Sequence, residues 1–312
     1  GTSRALAGPG RSTTTPRSTA LTGANTYSGN TVINGGGVTV SGSGTLGSTA
    51  NNLTVNSNSS LTLTGTSQTA QIVGLNGSTL TGGTLSGTSF TTTGNNTIST
   101  ALAGAGGLTN TSGSTTLTGV NTYSGNTVIN GGSLYVSGNG TLGLTTGTTT
   151  INDSTLDLGT TTQTQALVSL SNGIATNGTF NNAAILGNGG SNTTATALIG
   201  TSSVTNAVGT NTLTSIGNSY TGGNTITGGT LQVATTSSLG ATTNNLSISG
   251  NGTLDLQTGT QTQGNVTVTN GNIISGTLTN SGITFTGGSN NINAILAGTG
   301  GLTNASGSTT LS

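Results

Sequence analysis

One stretch that returns along the chain constrains the fold more than any other feature. Leu21–Gly47 reads LTGANTYSGNTVINGGGVTVSGSGTLG and Leu117–Gly143 reads LTGVNTYSGNTVINGGSLYVSGNGTLG, while Leu213–Gly240, LTSIGNSYTGGNTITGGTLQVATTSSLG, is a worn copy. Tyr27, Tyr123 and Tyr220 mark nearly equal intervals, and each stands at one fixed distance before the Leu of a Leu-Gly pair, Leu46, Leu142 and Leu239. Gln68, Gln163 and Gln261 keep a similar beat. Self-similarity at a long fixed period specifies units stacked along one axis, not a chain wrapped around one core. The repeats run over positions 21–116, 117–212 and 213–310, about 97 residues each.

Within each repeat the chain reads as short strands between turns. Val38–Val40, Leu53–Val55, Leu61–Leu63, Leu134–Val136, Leu156–Leu158, Leu231–Val233 and Val266–Val268 are triplets with aliphatic outer residues. A strand alternates its side chains, so the Val and Leu of each triplet are expected inside and the central Thr, Tyr, Asp or Gln outside. Breaks carry Asn-Gly or Gly-Gly, as at Asn34-Gly35-Gly36, Asn76-Gly77, Asn130-Gly131-Gly132, Asn139-Gly140, Asn251-Gly252 and Asn270-Gly271, where positive φ suits sharp corners. Ala183–Leu186 is the best helix candidate and is too short to count. Paired hairpins would need a thick core, which an aromatic content of 2% does not supply. A coil needs only a few aliphatics per layer. The expected fold is all-β, a single parallel β-helix with coils of about 20 residues, hence about 15 coils. It is expected to run continuously over residues 21–312. Residues 1–20, which hold Pro9, Pro16, Arg4, Arg11 and Arg17, read either as a degenerate or capping coil or as a basic arm.

Charge excludes several functions. The only basic residues are those three arginines, and the only acidic ones are Asp153, Asp157 and Asp255. With no basic face beyond Arg17, nucleic acid is not an expected partner. No apolar run reaches the roughly 18 residues of a membrane helix, so this segment is not expected to insert in a membrane. No leader pattern is present, so an export signal, if there is one, is expected outside these residues.

The repeated stretch resembles the autotransporter-associated β-strand repeat of bacterial autotransporter passenger domains. The resemblance rests on the Leu-Thr-Gly opening, Asn25-Thr26-Tyr27-Ser28-Gly29, Thr31-Val32-Ile33, Gly35-Gly36, Val38 and Leu46-Gly47, and on the same set within Leu117–Gly143. The third copy departs at Thr214-Ser215-Ile216 and has Thr225 for Val128, so an irregular first coil is expected there. The resemblance implies a right-handed β-helix displayed outside the outer membrane. It also implies a C-terminal translocator barrel, which these residues do not include.

Chemistry is sparse. Glycosidases use two carboxylates about 5–9.5 Å apart, and the three aspartates are the only acids. Asp157 and Asp255 share a repeat position, a long repeat apart, and Asp153 aligns with Asn58 and Asn251 as one member of a corner column. Without His, Lys, Glu or Cys, general-base, Schiff-base and thiolate routes are closed, so no catalytic residue is expected and the chain reads as no enzyme. No metal or cofactor site is expected either, because zinc ligands and the glycine-rich calcium nonapeptide are missing. Thr-x-Thr pairs such as Thr62/Thr64 and Thr277/Thr279 admit an ice-binding reading, against which their uneven spacing counts. Tyr27, Tyr123, Tyr220 and Tyr135 are open to sugar stacking, but three recur at the repeat period, which favours a structural corner. The expected role is an extracellular adhesin or stalk, with a self-assembling fibre or biofilm filament as the alternative and a polysaccharide-acting enzyme a distant third. End-to-end self-association and host or surface glycans are the partners considered.

Overall fold

The computed structural model describes residues 12–14 and 18–312. The expectations of a capping coil or basic arm, with their arginines and prolines, fall on residues outside these. Two compact units are present, Gly1–Thr150 with Ser154–Thr161, and Ile151–Asp153 with Thr162–Ser312. Each is a parallel β-solenoid, together about 15 turns, with no helix among the described residues. No helix of the described residues is long and apolar enough to cross a membrane.

Register gives the coil lengths of the first unit. Thr31 pairs with Leu53, Leu53 with Val73, Val73 with Phe90, Phe90 with Leu108 and Leu108 with Thr127, so the numbering advances by 22, 20, 17, 18 and 19. These five coils make up one long repeat, and their lengths match the coil expected from sequence. A second ladder runs through Gly36–Ser41, Ser59–Thr64, Thr79–Thr81, Asn96–Ile98, Ser114–Leu117 and Ser133–Val136, and a short third one through Ser67–Thr69, Thr84–Ser86 and Ala101–Ala103. All of these pairings are parallel, so the hairpin arrangement is not used.

The second unit repeats the scheme. Asn224 pairs with Leu246, Leu246 with Val266, Val266 with Ile283 and Ile283 with Leu302, so the numbering advances by 22, 20, 17 and 19. Of the irregular first coil expected in the third copy, the Thr225 rung is regular, since Asn224–Ile226 pairs in unbroken register with Val204–Asn206 on one side and Leu246–Ile248 on the other, whereas the departure at Thr214-Ser215-Ile216 is a turn at Ile216-Gly217 with Ile216 exposed. A Thr on the outward face of a strand pairs as well as a Val, because the ladder is backbone. Ala183 and Leu186 bracket the start of the strand Ala184–Thr194, not a helix.

All seven aliphatic triplets bury their outer residues and turn the central one outward. Stacked coils align like residues on successive rungs, so Leu61, Leu80, Ile98, Leu117 and Val136 form one buried column. Full burial of such a side chain is worth about 1.5–3 kcal/mol. A few aliphatics per coil therefore hold a chain whose hydrophobic content is only 29%.

Corners are built by residues that tolerate positive φ. Asn58, Asp153 and Asn251 have φ of 59°, 47° and 61°, so the three aligned positions do form one type of corner. At Asn251-Gly252 and Asn270-Gly271 it is the Asn, not the Gly, that takes the left-handed conformation.

Candidate functional site

The repeated stretch folds into a buried polar corner. In its first copy the Tyr27 hydroxyl donates to Thr31 Oγ1 at 2.6 Å, and Thr31 Oγ1 donates to the carbonyl of Leu46 at 3.4 Å. The Tyr27 carbonyl accepts from Ser48 N and from Asn51 Nδ2. Asn25 and Thr45 clasp one another, Asn25 Nδ2 to the Thr45 carbonyl at 2.8 Å and Thr45 Oγ1 to the Asn25 carbonyl at 2.6 Å. From the next coil Gln68 reaches up, accepting from Leu46 N at 2.9 Å and donating to the Gly44 carbonyl at 3.0 Å. Gly47 has φ of 77°, and a Cβ there would lie 2.7 Å from the Tyr27 carbonyl oxygen and from its ring. Only glycine lets the chain pass over the aromatic face at that distance.

The second copy repeats the geometry with Tyr123, Thr127, Leu142, Asn121, Thr141 and Gly143. Phe90 packs against Tyr123 at 6.3 Å between ring centroids, inclined by 48°. Burial pushes the Tyr123 hydroxyl well above its usual range, and the bond to Thr127 only partly offsets this. Tyr220 is shifted upward in the same way, by burial first, against the bond to Asn224.

Tyr27, Tyr123 and Tyr220 are therefore buried, at 2%, 0% and 0% exposure, and cannot stack on a sugar. The structural corner is the role they take. Tyr135 alone is exposed, between Thr116 and Asp157 on neighbouring rungs. Its presence there ends the outward column Thr79, Thr97, Thr116, so that column does not extend into a long flat hydroxyl face.

The aspartates are engaged in corners. Asp157 Oδ1 accepts from Gly159 N at 2.8 Å, and Asp255 Oδ1 accepts from Gln257 N at 2.9 Å, the same two-residue turn in both repeats. Asp255 Oδ2 also accepts from Gln232 Nε2. Asp153 accepts from Asn172 Nδ2 at 3.0 Å, just as Asn251 accepts from Asn270. Among the described residues no three His, Cys, Asp or Glu gather where an ion could be held.

The buried amides were not evident from the aliphatic pattern. Asn96, Asn192 and Asn290 each accept from a backbone N–H one coil earlier, Ser78, Gly173 and Gly271, and each donates to a carbonyl of its own turn. Their signal is recurrence once per long repeat, not hydropathy.

The passenger-associated-transport-repeat family model matches residues 18–40, 112–136 and 208–233, which hold the first strands of each copy and Tyr27, Tyr123 and Tyr220 with their partners Thr31, Thr127 and Asn224, and stop short of Leu46, Leu142 and Leu239. The chain carries three passenger-associated transport repeats. They fit an autotransporter passenger with β-strand repeats. Among curated proteins and solved structures, none matches the chain.

Proposed function

We propose that this chain is a structural segment of a bacterial surface passenger, an adhesin or stalk that stands outside the cell. The observation that carries this reading is the buried tyrosine corner, whose Tyr and hydrogen-bond partner lie within each passenger-associated transport repeat match and whose Asn clasp and Gln tie successive coils through uncharged hydrogen bonds. The contacts are local from coil to coil, so such a scaffold lengthens without a growing core. The repeat family and the solenoid favour a non-enzymatic role, and the engagement of Asp153, Asp157 and Asp255 in turns supports it. The test is antibody labelling of intact cells that express the full protein, with and without external protease. Labelling that the protease removes is expected. Antigen seen only after the cells are opened would sink the reading.

A fibre subunit is the second reading. Its support is the nearly uncharged surface, three Asp and no Lys or Arg after Arg17, which lacks the repulsion that usually opposes association. Electron microscopy of the purified chain at rising concentration separates the two, since dispersed particles throughout would exclude the fibre.

A further inference from the structure

Two concavities meet on one side of the second unit. One, of about 450 Å³, is lined by Thr243, Thr262, Gly264 and Thr279 among others. The other, of about 340 Å³, is lined by Gly223, Thr225, Ser247 and Thr267, and Asn245 and Asn265 border both. Asn245 and Asn265 precede the paired residues Leu246 and Val266, so their exposed carboxamides stand one coil apart, about 4.8 Å. Beside them runs an outward hydroxyl column, Thr205, Thr225, Ser247, Thr267, Thr284 and Thr303, paired rung to rung without interruption.

The first unit has the same rungs two long repeats earlier, and there they carry larger side chains at three of the matching positions. Gln71 stands for Gly264, Ile72 for Asn265, Ser89 for Gly282, and Gly74 breaks the hydroxyl column at the place of Thr267. The first unit also uses its amides internally: Asn30 Oδ1 accepts from Asn52 N at 3.0 Å and Asn52 Oδ1 accepts from Ile72 N at 3.3 Å. In the second unit Gly223 replaces Asn30, and the side chains of Asn245 and Asn265 make no hydrogen bond to any described residue. At Gly264 the backbone passes close to the coil before it, where a Cβ would lie 2.7 Å from the Thr243 carbonyl oxygen.

The lining holds no charged group and no aromatic ring, and its one large aliphatic residue, Leu246, is buried. An anion finds no counter-charge there, and an apolar peptide finds no pocket. Free carboxamides supply both donors and acceptors, hydroxyls do the same, and the two kinds recur once per coil. That pattern suits a neutral chain of hydroxyl-bearing rings extended along the ladder. We propose that the groove of the second unit, with Asn245 and Asn265 as its principal contacts, binds an extended neutral oligosaccharide. The proposal rests on the surface-passenger reading only for where the sugar is met; binding is a property of the purified chain.

The experiment is an NMR titration of the purified chain with cellohexaose and with chitohexaose, followed through the Asn245 and Asn265 side-chain amides. Saturable shifts of those amides are expected with at least one of the two sugars. The double variant Asn265→Ile with Gly282→Ser places on these rungs the residues that the first unit carries, so it is expected to fold as the parent does, checked by its circular dichroism melt. It should bind at least tenfold more weakly. Three results would overturn the site: no saturable shift with either sugar, undiminished binding by the folded double variant, or equal binding of anionic hyaluronan. Cell-surface labelling that fails while the titration succeeds would remove the passenger reading and leave the groove.

Discussion

The tyrosine corner of the second copy and that of the third have the same geometry from different residues. In the second, Tyr123 bonds Thr127 at 2.6 Å, and the short Thr side chain reaches the Leu142 carbonyl at 3.4 Å. In the third, the Tyr220 hydroxyl donates to Asn224 Oδ1 at 2.5 Å, and the longer Asn reaches the Leu239 carbonyl at 3.0 Å while also meeting Gln263. The Asn121–Thr141 clasp becomes Asn218–Ser238, with the same pair of side-chain-to-carbonyl bonds. Gly143 and Gly240 pass over their tyrosines at φ of 81° and 77°. The copy that has drifted furthest in sequence thus keeps every role of the corner. Its constraint is a buried phenol with an acceptor and a capped carbonyl, and residue identity is free within that.

The largest effect should come from removing the phenol itself. Tyr123→Ala deletes a fully buried ring, leaves Thr127 without its partner and opens a cavity beside Phe90. A loss of about 3–5 kcal/mol is expected. Because a solenoid transmits stability mainly between neighbours, hydrogen exchange should show the loss concentrated in the coils between Leu102 and Thr149. A uniform rise in exchange across the first unit would contradict a local corner. Gly143→Ala should follow, at about 2 kcal/mol or more, from left-handed strain plus a Cβ placed 2.7 Å from the Tyr123 carbonyl oxygen. The matching Gly138→Ala, with a similar φ of 60° but open space around the added methyl, should cost only the strain, about 1–2 kcal/mol, so the difference between the two melts isolates the close approach.

Alkaline pH acts on both copies together. The folded pKa of Tyr123 and of Tyr220 is raised by burial, and the unfolded value is about 10. Below that value both states hold the proton and stability is unaffected. Above it the unfolded chain loses its proton first, so stability falls as pH rises through the window between the two values. Tyr123 and Tyr220 should each cost about 1.4 kcal/mol between pH 9 and pH 11. Chemical denaturation at pH 9 and at pH 11 checks this, and Tyr220→Phe should flatten the second unit's share of the decline.

How far sequence reached depends on whether a feature is written in the period of the pleat. The triplets were legible because alternation is imposed by strand geometry, and Asp153 was legible as a corner because it aligned with Asn58 and Asn251. Tyr27 and its counterparts were ambiguous, since they lie in an irregular segment where no alternation says which way a ring points. The groove was illegible: its origin is a comparison of Gly264, Asn265 and Gly282 with Gln71, Ile72 and Ser89, which requires the rung register.

A second corner shows what happens when drift does not compensate, and it sharpens the contrast. In the first unit Asn110 Oδ1 accepts from Thr92 Oγ1 and from Thr115 Oγ1, both at 2.8 Å, while its amide caps the Gly131 carbonyl. The corresponding Asn206 still caps a carbonyl, that of Gly228. However, Thr92 has become Gly187 and Thr115 has become Asn211, and both Asn206 Oδ1 and Asn211 Nδ2 are buried without a partner. A buried polar atom left unmatched costs about 1–3 kcal/mol. Asn211→Thr restores the hydroxyl donor of the first unit and removes the stranded amide, and its Oγ1 can still accept from Thr194, which now bonds Asn211 Oδ1 at 3.2 Å. It should therefore stabilise the second unit by about 1 kcal/mol, read as a rise in its denaturation midpoint, whereas the reverse change Thr115→Asn should destabilise the first. A destabilised Asn211→Thr chain would mean that Asn211 holds the corner in a way its hydrogen bonds do not account for.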